Sequence, residues 1–310
     1  MIKLEKLIKI FWKLITGSKF MVEEQESPEN YSSARINKLY FLLPIFFTIL
    51  IALIYSQLVL ASQAGSNSAT FLFEGYNEVF IAVNIAVITI ISALSLLIFF
   101  HILKTKRNLA IRVLVSSFIM GGMLSTLLFG KHIFLLLNFE SPLFLLVVAF
   151  VAYGGAYFAY LAFIEALSNR ARNTLFLVCS GTLGSFLGVL VPMLPVIVIS
   201  LFLSAVDIIS IRKNTVEDIV GKTEYESLIM KLAFSNKDWG IGIGDLTCYS
   251  MIVANTSISY GAPAGGLSLL LILIGSFFSL LLTIKMIRIP GLPISTVLGL
   301  IPSILLTLGS

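Results

Sequence analysis

The feature that most constrains this chain is a succession of apolar runs, each close to 20 residues long and almost free of charge. Residues 39–60 contain no Asp, Glu, Lys or Arg. A helix of about 20 such residues crosses the roughly 30 Å hydrocarbon core of a bilayer and satisfies its backbone hydrogen bonds internally. Further runs cover 79–103, 109–129, 143–164, 175–191, 193–211, 240–260, 265–284 and 290–308. Pro192 separates the fifth run from the sixth, which together are too long for one helix, so a tight hairpin is expected there. The expectation is an all-α integral membrane protein with nine transmembrane helices. A short apolar stretch at 133–139 is expected to be re-entrant or interfacial. Barrel strands would alternate apolar and polar residues over about 10 positions, and these runs do not. Only 12% of the 310 residues are charged, against about 25% in an ordinary soluble domain. A soluble globular enzyme is excluded on that ground.

The placement of the charges orients the spans. With the N-terminus in the cytosol, the inner segments are 1–38, 104–112, 165–173, 212–239 and 285–289. They carry 20 of the 21 Lys and Arg residues, and Lys131 is the exception. This asymmetry follows the positive-inside rule, and one missed or extra span would destroy it. The N-terminus is therefore expected inside and the C-terminus outside. A net charge of +5 arises at span ends rather than in a basic patch with interleaved aromatics, so no nucleic acid is expected as a partner. Residues 1–38 hold Lys3, Lys6, Lys9 and Lys13 along one helical stripe opposite Leu4, Leu7, Ile8, Phe11, Trp12 and Ile15. That pattern predicts an amphipathic interfacial helix rather than a signal peptide, followed by a polar linker. Residues 39–211 form spans one to six, 212–239 a near-neutral cytosolic loop and 240–310 spans seven to nine. His101, Arg112 and Glu165 lie at span ends and read as interfacial anchors. Cys179 and Cys248 lie within apolar runs and read as packing residues, with no metal or cofactor site.

Two acids do not belong in such runs. Asp207 and Asp245 fall well inside the sixth and seventh spans, where an acid costs at least about 2.5–3.5 kcal/mol to insert. Asp207 precedes the inner end of its span by about 6 Å, and Asp245 follows the inner start of the next by about 7.5 Å. The two carboxylates are thus expected at one depth, facing each other if the helices are neighbours. Two carboxylates in a low-dielectric site cannot both ionise and share one proton. One can then take a proton from a water between them while the other polarises a peptide carbonyl, which is peptide hydrolysis without a covalent intermediate. Alternating Gly240, Gly242 and Gly244 leave backbone accessible beside Asp245. Pro290 and Pro293 break the first turn of the ninth span at a similar depth. Each feature has a structural reading of its own: Asp207 snorkelling toward Arg212 or Lys213, Asp245 at a helix N-terminus, glycines for helix packing, Pro290 starting a helix. One geometry accounts for all of them together.

These motifs resemble the presenilin and signal-peptide-peptidase family of GxGD intramembrane aspartyl proteases. That family carries an aspartate in span six, Gly-x-Gly-Asp in span seven and Pro-Ala-Leu at the start of span nine. They map onto Asp207, onto Gly242-Ile243-Gly244-Asp245 and onto Pro290-Gly291-Leu292. The resemblance covers residues 39–310. It implies that Asp207 and Asp245 are catalytic. It also implies that a substrate strand pairs with backbone near Gly242, Ile243 and Gly244 and near Pro290, Gly291 and Leu292. The chain departs from the family at Val206, where a Tyr is usual, and at Gly291, where Ala is usual. An N-terminus inside resembles the presenilin branch and implies single-span transmembrane substrates with their N-terminus outside. A stand-alone microbial homologue in the cell membrane, with no obligate partner subunit, is the expectation.

Two other functions use similar residues. A proton-coupled secondary transporter could relay protons through Asp207 and Asp245, but the internal repeats many such folds show are not visible. A prepilin-type peptidase also uses Gly-x-Gly-Asp, but resembles a shorter chain without the Pro-Gly-Leu element.

Overall fold

The computed structural model describes residues 38–63, 102, 105–137, 143–212, 231–236, 239–285 and 291–309. The expected interfacial helix, nearly all of the expected span at 79–103, most of the 212–239 loop and Pro290 lie outside the described residues. In chain order the helices are α1 (Lys38–Gln63), α2 (Arg107–Leu136), α3 (Leu143–Phe163), α4 (Asn169–Leu190) and α5 (Met193–Arg212). A hairpin of β1 (Ala233–Asn236) and β2 (Trp239–Gly242) follows, then α6 (Ile243–Tyr260), α7 (Ala262–Lys285) and α8 (Leu292–Gly309). Six of these helices are long and apolar enough to cross a membrane, and α5 is a shorter apolar helix. The chain is an integral membrane protein.

The helix boundaries follow from local chemistry. Pro192 lacks an N–H, and the chain breaks there between Leu190 and Met193. Ser168 caps α4, its hydroxyl accepting from the N–H of Ala171. Of the stretch 133–139, expected to be re-entrant or interfacial, the part as far as Leu136 continues α2 as its last turn. Nothing between Phe129 and Leu136 stops a helix: there is no proline, and Gly130 sits in open space. His132 Nδ1, 2.7 Å from Ser62 Oγ, ties this end of α2 to α1.

α6 is the axis of the bundle. It packs against α1, α4, α5, α7 and α8, and twelve of its eighteen residues are buried. Over most of its length such a helix meets protein rather than lipid, so it can bury Ser250, Asn255, Thr256 and Ser257, while Asp245, near its start, is half-buried. That is why α6 is not among the six helices that qualify as spans by composition. Its approach to α4 is close at Gly184 and Gly188, where a Cβ would lie 2.4 Å from the carbonyl oxygens of Thr247 and Met251. α3 is the opposite case, packed mainly on α2 and exposing Leu145, Phe150 and Tyr153.

The sequence reading starts the seventh span at Gly240, but the helix begins at Ile243. Trp239–Gly242 pairs antiparallel with Ala233–Asn236, Ala233 opposite Gly242 and Ser235 opposite Gly240. Among the described residues the fold is therefore helical with one small hairpin. Trp239 anchors it, stacked on Phe234 and edge-on to Phe41 of α1. Asn173 of α4 completes the outer edge of β1: its side-chain N–H donates to the carbonyl of Ser235 at 2.7 Å, and its oxygen accepts from the Ser235 N–H at 3.3 Å.

Arg112 and Glu165, two of the expected anchors, form an ion pair at 3.0 Å, joined by Lys231 at 3.2 Å. Glu165 turns the chain between α3 and α4 with a left-handed φ of 58°. The hydrogen bonds from Arg112 and then Lys231 hold its carboxyl below the usual carboxylate range. The stabilisation is therefore present above the unfolded carboxyl's pKa, near 4.3 on the order of the reference value, and is lost as pH falls through the lower folded value. Both side chains are about two-fifths exposed, which limits the contribution to at most about 1 kcal/mol. Glu165→Gln should lower the melting temperature by about 1–3 °C at pH 7 and leave it unchanged near pH 3. Thermal melts of the two chains at both values check this.

Candidate active site

Asp245 is the third residue of α6, in its first turn. Helix N-termini favour negative charge through their unpaired N–H groups. The N-cap is Gly242, which offers no side chain. A Cβ on Gly242 would lie 3.4 Å from Asp245 Cγ and Oδ2, so the carboxylate folds back over the glycine. Gly244, exposed and with open space where its Cβ would be, leaves the neighbouring side of the helix uncovered.

Asp207 comes from α5, five residues before its last residue, and is half-buried. α5 packs on both α6 and α8. Asp207 Oδ2 accepts from the N–H of Leu292, at the start of α8, at 3.4 Å. The preceding residue, Gly291, faces the other acid: a Cβ there would lie 3.7 Å from Asp245 Oδ2. One backbone segment, Gly291–Leu292, therefore lies against both carboxylates. With the 3.4 Å and 3.7 Å approaches to this segment, bonded geometry limits the two Oδ2 atoms to within about 11 Å of each other.

The residues singled out by sequence thus fall into two groups. Asp207, Asp245, Gly242, Gly291 and Leu292 converge, with Gly244 beside them on an open face. Leu292 contributes its N–H, while its side chain is buried in the core. Ile243 turns away: its side chain packs with Phe176 and Cys179, and its N–H donates to Leu232 at 3.2 Å. Cys248 and Cys179 are free and buried.

Tyr249 escaped the sequence reading. Its hydroxyl donates to the carbonyl of Gly291 at 3.3 Å. The signal was the spacing, since Tyr249 lies four residues after Asp245 and so on the same face of one helix.

A Cβ at Gly291 would make only ordinary van der Waals contact, 3.7 Å from Asp245 Oδ2. Gly291→Ala should therefore fold. It should raise stability by about 0.4–1 kcal/mol by restricting the unfolded chain, read as a higher melting temperature.

No family model matches the sequence, and no curated protein matches it. The fold does have a solved counterpart. It is similar to a presenilin-family intramembrane aspartate protease, with a TM-score of 0.54 and 18% sequence identity, over 88% of this chain and 99% of that one. The chain shares with that protein its fold, an assembly of apolar helices.

Proposed function

We propose that this chain is an intramembrane aspartyl protease of the GxGD type, which hydrolyses peptide bonds within transmembrane segments. The observation that carries the reading is the Gly291–Leu292 segment lying against both Asp207 and Asp245. Asp207 and Asp245 are the catalytic pair, sharing one proton with a water between them. The unprotonated carboxylate takes a proton from that water as its oxygen attacks the scissile carbonyl carbon. The protonated partner gives its proton to the carbonyl oxygen. The tetrahedral intermediate then collapses, with a proton passing to the leaving amine, and the pair returns to its starting state.

A transmembrane helix must unwind locally before its peptide bonds are open to attack. The hairpin supports this step. The bond from Ile243 N–H to the Leu232 carbonyl makes 232 and 243 an inward-facing pair. By the alternation of an antiparallel ladder, 234 with 241 and 236 with 239 also face inward, whereas Gly240 and Gly242 point away from β1. Asn173 bonds Ser235 on the opposite, outer edge of β1, as that alternation requires. An unwound substrate adding as a strand would thus meet the backbone of Gly240 and Gly242, which leads straight to Asp245.

The full reading is nine spans with the N-terminus in the cytosol and the C-terminus outside. The chain would act in a microbial cell membrane, without an obligate partner subunit, on single spans whose N-terminus is outside. The test uses the purified chain in phosphatidylcholine vesicles with a synthetic transmembrane peptide. The expected result is a cut inside the peptide's apolar stretch, blocked by a peptide carrying a hydroxyl in place of the scissile carbonyl, because that group mimics the tetrahedral intermediate. No internal cut by the folded chain would overturn the proposal.

A further inference from the structure

Tyr249 has no task in the mechanism above, yet it touches the peptide group on which that mechanism depends. It is 3% exposed, and a buried phenol hydroxyl needs a partner. The carbonyl of Gly291 accepts from it at 3.3 Å, and the hydroxyls of Ser295 and Ser276 lie beside it. Ser295 Oγ, from the first turn of α8, donates to the same carbonyl at 3.5 Å. Ser295 is itself placed by α7, where Ser276 Oγ lies 3.0 Å from Ser295 Oγ. α7 and α8 meet closely there, since a Cβ on Gly275 would sit 2.6 Å from Ser295 Cα.

The other end of this peptide group is the N–H of Leu292, which donates to Asp207 Oδ2. A trans peptide is planar, and its C=O and N–H point in opposite directions. Holding the oxygen therefore sets the direction of the N–H. The grip has something to restrain: Gly291 has no Cβ to limit its backbone. On the other side, Pro293 already restricts Leu292.

The geometry points to Tyr249 as a positioning residue for Asp207. Its hydroxyl, aided by that of Ser295, holds the Gly291 carbonyl and so aims the Leu292 N–H at the Asp207 carboxylate. The consequence for turnover rests on the proteolytic reading; the hold on the peptide group does not. A purely structural role would be to pack α6 against α8. Tyr260 provides the control, because its hydroxyl lies 2.6 Å from Thr307 Oγ1 and links the same two helices at their other ends.

The experiment compares the full chain with Tyr249→Phe, Ser295→Ala and Tyr260→Phe in phosphatidylcholine vesicles. Two quantities are read: kcat and KM on a transmembrane peptide, and the hydrogen-exchange rate of the Leu292 amide without peptide. Tyr249→Phe is expected to lower kcat about tenfold with KM unchanged, the pattern of an interaction that serves only the transition state. It should also speed Leu292 exchange. Ser295→Ala should act in the same direction and less, and Tyr260→Phe should change neither quantity. Parental kcat and parental Leu292 exchange in Tyr249→Phe would overturn the inference, as would equal effects in Tyr260→Phe. If the parent chain cuts nothing, the proteolytic reading fails alone, and Leu292 exchange in Tyr249→Phe still decides whether the tyrosine holds this peptide group.

Discussion

Asp245→Asn is expected to reduce cleavage of a transmembrane peptide by about 10²–10⁴-fold, the range for loss of a general acid or base. Substrate affinity and melting temperature should stay near the parental values. The substitution keeps the shape of the side chain and removes its ability to exchange a proton. Asp245 sits at the start of α6 over Gly242, where an amide fits as well as a carboxylate. Asp207→Asn should behave alike. Its side-chain oxygen can still accept from the Leu292 N–H, now at 3.4 Å, so the local geometry survives while the chemistry does not. Initial rates and thermal melts on the same preparations check both halves of the expectation. A variant that fails to fold would show a role in packing instead.

The second large effect concerns the helix that carries Asp245. Gly184 and Gly188 are four residues apart on α4, a small-residue spacing that lets two helices approach backbone to backbone. A Cβ at Gly188 would lie 2.4 Å from the Met251 carbonyl oxygen and 3.0 Å from both Ala254 Cβ and Asn255 N. These are largely backbone atoms of α6, so relief requires moving the helix. Asn255 resists that movement, because its side-chain amide donates to the carbonyls of Gly188 and Val191, each at 2.8 Å. Gly188→Ala should therefore cost about 1–3 kcal/mol of stability. It should also lower cleavage by up to about 10²-fold, because a displacement near 1 Å at a catalytic group has that order of effect. Gly266→Ala is the matched control. It lies within α7 with open space around the added methyl, so it should keep or slightly raise the melting temperature. A Gly188→Ala chain that melts with the parent would contradict the packing described for α4 and α6.

The helices of this fold are legible because a lipid-facing span has one requirement, an uncharged run of sufficient length. Residues 143–164 were expected where α3 runs from Leu143 to Phe163, and 193–211 where α5 runs from Met193 to Arg212. The two acids stood out by the same rule, as charges where none should be. The parts that were not legible depend on distant partners. Gly240 reads as the start of a span, yet Trp239–Gly242 is a strand because Ala233–Asn236 pairs with it and Asn173, some 62 residues before Ser235, holds the far edge. The contact that ties the end of α2 to α1, His132 with Ser62, joins residues 70 positions apart. Ile243 sits inside the Gly-x-Gly-Asp motif, but its side chain belongs to the buried cluster that includes Phe176 and Cys179 of α4. Tyr249 and the Gly184–Gly188 pair lie between these cases: their spacing was visible, but the atoms they meet were not.

The most direct test of the central claim is a comparison of initial cleavage rates for the parent chain, Asp207→Asn, Asp245→Asn and the double variant, in identical vesicles with one peptide. Two groups that act as a unit lose everything when either is removed. Both single variants should therefore fall to the same floor as the double. A single variant that cuts at the parental rate, or a double variant whose loss is the product of two partial losses, would place the chemistry outside this pair.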